Sequence, residues 1–171
     1  MKTVRWLLAC LILISAFSTA GPVVAVPSAT PAANDRLSDL SRYEISATLN
    51  EAGTIDGRER VHFINATGVV LDEIAFRLYP NADYYGVGGL TISAFSIDGK
   101  AAKPRYSVQS TVVEADFAEP LDPGGTADID LRFTTKLPMD STGSYGIFTR
   151  HSDTGDWVAS DWCPIVAGHD A

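Results

Sequence analysis

The chain has 171 residues, 46% of them hydrophobic and 20% charged, which suits one globular domain plus a targeting segment and excludes a largely disordered chain. Its formal net charge of −8 excludes nucleic acid as a partner, since grip on a phosphate backbone needs a basic face.

The N-terminus, "MKTVRWLLACLILISAFSTAGPVVAV", opens on Lys2 and Arg5 and continues as an apolar run from Trp6 to Phe17, broken by Ser15. Ser18, Thr19, Ala20 and Gly21 follow. This is the layout of a secretory signal peptide over residues 1–25, with cleavage after Ala20 or Ala25. The alternative is a retained membrane anchor, because Trp6 to Val26 approaches the length of a bilayer span. "LLAC" (Leu7 to Cys10) has the form of a lipoprotein box, but the apolar run continues past Cys10 and that reading is rejected. Export places the chain outside the cell, in a periplasm, or on the outer side of a membrane. Thirteen basic residues less Lys2 and Arg5 leave eleven against twenty-one acidic ones, a mature charge of about −10 that suits solubility there.

Residues 26–42, "VPSATPAANDRLSDLSR", mix Pro, Ala, Ser and Asp without a period and read as a flexible linker, with room for one helical turn at Arg36 to Leu40. Residues 43–171 form the expected folded domain. In "YEISATL", Tyr43, Ile45, Ala47 and Leu49 share a face, and "NEAGT" is a turn. In "TIDGRERVHFIN", Ile55, Val61 and Phe63 share one face while Arg58, Arg60 and His62 share the other. "LDEIAFRL" turns Ile74, Phe76 and Leu78 inward. "ADIDLRF" alternates Ala127, Ile129, Leu131 and Phe133 with Asp128, Asp130 and Arg132. Each is the pattern of a strand with one face in a core and one in water. "LTISAFSIDG" changes phase between Ile92 and Phe95, which a β-bulge at Ser93 and Ala94 would repair. Asp98-Gly99 suits a tight hairpin, "LDPGGT" a wider one, and "SDTGD" a loop. No sustained helical period follows Tyr43. The expected fold is all-β: an antiparallel β-sandwich or saddle-like domain, preceded by the signal peptide or anchor.

Catalytic groups are scarce. Of the three histidines, His62 lies on the polar face of a strand, His151 begins a polar turn, and His169 is near the terminus. None forms the i, i+4 pair of a zinc peptidase helix. "TGSYG" (Thr142 to Gly146) has G-S-x-G spacing and no following helix, unlike a nucleophile elbow. "YGVGGLT" leads into a strand, so it lacks the helix N-terminus of a phosphate cradle. The acidic turns lack the alternating ligands of an EF-hand. Cys10 lies in the signal, which leaves Cys163 alone and without a disulfide framework; it reads as a small buried hydrophobe. Asn65-Ala66-Thr67 is a glycosylation acceptor in a host that glycosylates, and otherwise a turn. No residue of this chain reads as catalytic, cofactor-binding or metal-binding, and no cofactor is expected in it.

Three stretches in order carry a resemblance: "IDGRERVHFINAT" with "LDEIAFRLYPNA", then "SIDGK" with "LDPGGTADIDLRFTTKLP", then "YGIFTR…WVASDWCPIVAGHD". Together, from Tyr43 to Asp170, they resemble the N-terminal β domain of aminopeptidase N-type zinc metallopeptidases, in particular the bacterial exported branch with its "L-Y-P-N". The resemblance implies a saddle of antiparallel strands whose closing segment, "WCPIVAGHD", adjoins a thermolysin-like catalytic domain. It implies that zinc, the H-E-x-x-H pair and a downstream Glu ligand belong to that domain, which would be this chain's partner in cis or as a split product. Cys163 departs from the family's usual aromatic. The alternative is a free-standing extracellular β-sandwich that binds peptide or glycan, with Tyr79, Tyr84 and Tyr85 as an aromatic contact patch; those tyrosines are otherwise loop packing. A further expectation is that Trp157, Val158, Trp162, Ile165 and Val166 leave apolar surface uncovered and promote association.

Overall fold

The alternation that begins at Tyr43 becomes eleven strands among the described residues: β1 (Arg42–Leu49), β2 (Thr54–Ile64), β3 (Leu71–Arg77), β4 (Gly89–Ile97), β5 (Lys100–Ala101), β6 (Arg105–Ser107), β7 (Val112–Leu121), β8 (Thr126–Lys136), β9 (Phe148–Arg150), β10 (Trp157–Ala159) and β11 (Ile165–Val166). The computed structural model describes residues 40–137, 148–151 and 153–168. The signal or anchor, most of the linker, the Thr142 to Gly146 stretch and His169 lie outside them. Helix is confined, within the described residues, to three single turns of 3-10 type at Tyr79–Asn81, Asp83–Tyr85 and Val108–Ser110.

Pairing is antiparallel throughout. A five-stranded sheet has the order β1-β2-β8-β4-β5, a four-stranded sheet the order β11-β3-β7-β6, and β9 pairs with β10 alone. The two larger sheets close face to face on a shared core. Val61, Phe63, Phe95, Ile129 and Leu131 come from the first, and Ile74, Phe76, Val113 and Ala115 from the second. Phe76 meets Phe95 edge to face at 5.8 Å across the layers. Each Val, Ile, Leu or Phe side chain removed from water contributes roughly 1.5 to 3 kcal/mol. A smaller cluster of Ile55, Leu137 and Phe148 lies under Trp157 and Trp162.

The expected bulge is present. The β4–β8 register shifts between Ile92 and Ala94, and Leu90, Ile92, Phe95 and Ile97 all turn inward. The tight hairpin is present too: Asp98 and Gly99 join β4 to β5 with φ of 49° and 74°, the left-handed pair that a type I′ turn requires.

Two expectations are corrected. "LDPGGT" was expected to close a wide hairpin, but β7 and β8 belong to different sheets. The turn instead carries the chain from one layer to the other, where Asn65 receives it: its N–H donates to Gly125 O, and its carbonyl accepts from Gly124 N. β1 was expected to be half-buried. It is exposed along its whole length, with Tyr43 at 38%, Ile45 at 42% and Leu49 at 46%. The reason is its place at the rim. The opposing sheet ends in the two residues of β11, and these touch β1 through one bond, Val166 N–H to the Tyr43 hydroxyl at 3.2 Å.

Candidate functional site

The polar residues of the motif stretches hold the fold together. Asn65, at the end of β2, is buried; its amide donates to Val69 O at 2.7 Å and to Leu121 O at 2.8 Å. Its Oδ1 accepts from Thr67 N at 3.1 Å and Thr67 Oγ1 at 2.7 Å. Both amide hydrogens of Asn65 are committed within the fold. Asn81, of "LYPN", donates to Leu90 O at 3.1 Å and Ser110 O at 2.6 Å, and its Oδ1 accepts from Leu90 N. It joins the 3-10 turn after β3 to the start of β4.

The closing segment folds back over the sandwich. β11 pairs with β3, Trp162 packs on Phe133 at 6.0 Å, and buried Thr135 donates its hydroxyl to Trp162 O at 2.8 Å. The ring of Trp157 lies where a Cβ on Gly53 would come within 2.4 Å of it, so a side chain at Gly53 would push the ring away. Of the five residues expected to lose cover, Val158 is the exposed one at 44%.

The sequence candidates scatter. His62 faces outward as expected, but it has a partner: its Nδ1 lies 2.8 Å from Asp128 Oδ1. His151 closes the β9–β10 loop through its backbone, donating to Asp156 O and accepting from Gly155 N. Cys163 is a free, half-buried thiol whose pKa is pushed up to about 12, first by burial and then by nearby Glu59. Since the thiolate is the nucleophile, burial that favours the protonated thiol is in keeping with the small-hydrophobe reading. Tyr85 packs edge to face on Phe148 at 5.4 Å and on Tyr84 at 5.3 Å. Tyr79, Tyr84 and Tyr85 line an apolar cleft of about 550 Å³ together with Arg77, Val108 and Val112. Among the described residues no three His, Cys, Asp or Glu side chains converge as metal ligands would.

Sequence reasoning passed over Glu59. The period that sends Ile55, Val61 and Phe63 inward sends Glu59 with them, opposite Ile45 of β1 and Leu131 of β8. It is fully buried, neither carboxyl oxygen has a hydrogen-bond partner, and burial pushes its pKa up to about 8. The available signal was an acid at a core position of an otherwise apolar strand face.

No protein-family model matches the chain, and no curated protein matches it. Among solved structures it is similar to the M1 zinc metallopeptidase from Deinococcus radiodurans, with 20% identity over 56% of this chain and 19% of that chain at a TM-score of 0.44. For a point mutant of that enzyme the values are 16%, 63%, 22% and 0.48. A family 3a carbohydrate binding module from the scaffolding of Clostridium thermocellum gives 12% identity over 57% of this chain and 75% of that chain, at a TM-score of 0.28. The chain spans about a fifth of the length of the peptidases it matches, and at these identities no residue role carries over from any of them.

Proposed function

We propose that this chain is the non-catalytic N-terminal β domain of an exported zinc aminopeptidase of the aminopeptidase N type, supporting and covering a peptidase domain. One observation carries the reading. The residues on which the sequence resemblance rests, Asn65, Thr67, Asn81 and Trp162, bind their own fold rather than facing a reaction site. That is the behaviour of a structural domain whose characteristic residues maintain a shape. Under this reading the signal or anchor occupies residues 1–25, the linker 26–42 and the β domain 43–171, and zinc belongs to the peptidase domain.

The purified chain is then inactive on aminoacyl arylamides with or without added zinc, and the coding sequence beyond Ala171, in the same or a shifted frame, encodes H-E-x-x-H. Zinc-dependent turnover by the chain itself, or no such motif downstream, would overturn the proposal. The second reading, an extracellular module binding peptide or glycan, is favoured by the apolar cleft at Tyr79, Tyr84 and Tyr85. Binding of either ligand class that is lost in Tyr84→Ala would support it.

A further inference from the structure

Directly opposed residues of antiparallel strands point to the same side, so the middle of the outer face of the five-stranded sheet reads as four cross-strand rows. They are Arg42, His62 and Asp128; Glu44, Arg60, Asp130 and Ser96; Ser46, Arg58, Arg132 and Ala94; and Thr48, Asp56, Thr134 and Thr91. Three rows are internally matched. His62 Nδ1 lies 2.8 Å from Asp128, Arg60 Nε donates to Asp130 at 3.0 Å, and Thr134 Oγ1 donates to Asp56 at 2.8 Å. The Ser46 row is not matched. Arg58 and Arg132 stand opposite one another, exposed, and neither joins an ion pair among the described residues. Like charges directly opposed destabilise a sheet.

The pair lies in a shallow depression of about 550 Å³ whose lining includes Ser46, Thr48, Ser93, Asp56 and Thr134. The bulge between Ile92 and Ala94 brings Ser93 to its rim, where Ser93 Oγ donates to the Arg132 carbonyl at 3.2 Å and steadies the backbone beneath one guanidinium. Asp56, the one carboxylate in the lining, already accepts the Thr134 hydroxyl. The site is therefore rich in donors. Each guanidinium presents five N–H groups in a planar fork, and Ser46 and Thr48 add hydroxyls.

We propose that Arg58 and Arg132 form a binding site for a tetrahedral oxyanion, a phosphate or sulfate group. Two forks and two hydroxyls match three or more acceptor oxygens better than the two of a carboxylate, and the bound anion removes the repulsion between the guanidiniums. The chain's net charge of −8 does not forbid this. Across these four rows four arginines (42, 58, 60 and 132) balance four carboxylates (44, 56, 128 and 130), Lys136 of β8 extends the same face, and fields from further away are screened over about 8 Å at physiological salt.

The test is a titration of the purified chain with sodium phosphate and, separately, sodium sulfate at constant ionic strength, followed by backbone amide shifts. It is run on the native chain, Arg58→Gln, Arg132→Gln and the control Arg60→Gln. The native chain and the control give saturable shifts centred on residues 58 and 132, while Arg58→Gln and Arg132→Gln each weaken binding at least tenfold. In anion-free buffer these two variants melt no lower than the native chain, because repulsion has been removed. Tighter phosphate binding identifies a phosphoryl ligand, tighter sulfate binding a sulfate ester, and equal binding the shared oxyanion chemistry; each outcome supports the site. Shifts that do not saturate, or that are equal in all four proteins, mark only the general stabilising action of such salts and overturn it. A lower melting point for both glutamine variants in anion-free buffer also overturns it, since the arginines would then already be satisfied within the fold.

Discussion

Replacing Glu59 with glutamine keeps the shape of the side chain and removes its ionisation. In the folded chain burial raises the pKa of this carboxyl to about 8 from an ordinary 4.5. Between those values the folded state holds a proton that the unfolded state has released, so stability is fully present below about pH 4.5 and is lost as the pH rises through about 8. At about 1.4 kcal/mol per pH unit the complete loss is roughly 5 kcal/mol, of which roughly 3 kcal/mol has accrued by pH 7. That is a large share of the 5 to 15 kcal/mol (roughly) available to a domain. Urea unfolding of the native chain and Glu59→Gln at pH 5, 7 and 9 measures it. The difference between the two curves isolates residue 59, because every other group titrates in both proteins. The variant gains on the native chain at each step upward in pH. Curves that stay parallel from pH 5 to 9 would refute the reasoning and mean that water or a partner group reaches the carboxylate.

Asn65→Ala strips partners from Val69 O, Leu121 O and Thr67 Oγ1 together, and a loss of roughly 2 to 4 kcal/mol is expected in urea titration; a change under 0.5 kcal/mol (roughly, the level of a neutral surface site) would contradict its role as an anchor. Gly57→Ala places a Cβ 2.2 Å from Cζ of Phe133, whose ring lies across that glycine, and this overpacking costs about 1 to 3 kcal/mol. Relief in the double variant Gly57→Ala, Phe133→Leu, measured against both singles, checks that the ring is the cause.

Local features were legible from the chain alone. The bulge showed as a phase slip between Ile92 and Phe95, and Asp98-Gly99 named its own turn, because both are decided by a few adjacent residues. What escaped depends on partners distant in sequence. The alternation of β1 is as clean as that of β8, yet Ile129 is fully buried while Ile45 is 42% exposed. Only the sheet order, with β1 at a rim and β8 in the middle, separates them. "LDPGGT" is equally good as a hairpin or as a crossing between layers, since turn chemistry does not state which sheet receives the next strand. The opposition of Arg58 to Arg132 is likewise invisible until a register pairs positions 74 apart (132 less 58).

The central ladder also sets the order in which the domain can assemble. β2 finds β8 at separations that run from 62 residues (Ile64 to Thr126) to 82 (Thr54 to Lys136), whereas β1 and β2 are joined by a turn at Asn50–Gly53 that Asn50 Oδ1 braces with two bonds of 3.0 Å. The hairpin therefore forms on a microsecond scale, and loop closure delays the ladder that must cover it. Before Lys136 is made, β2 has only β1 to pair with, and a lone two-stranded ribbon is marginal in water. Without β8, Val61, Phe63 and Glu59 lack the neighbours Ile129, Ala127 and Leu131 that stand opposite them in the fold. Closing the core between about pH 4.5 and 8 therefore takes up a proton at Glu59.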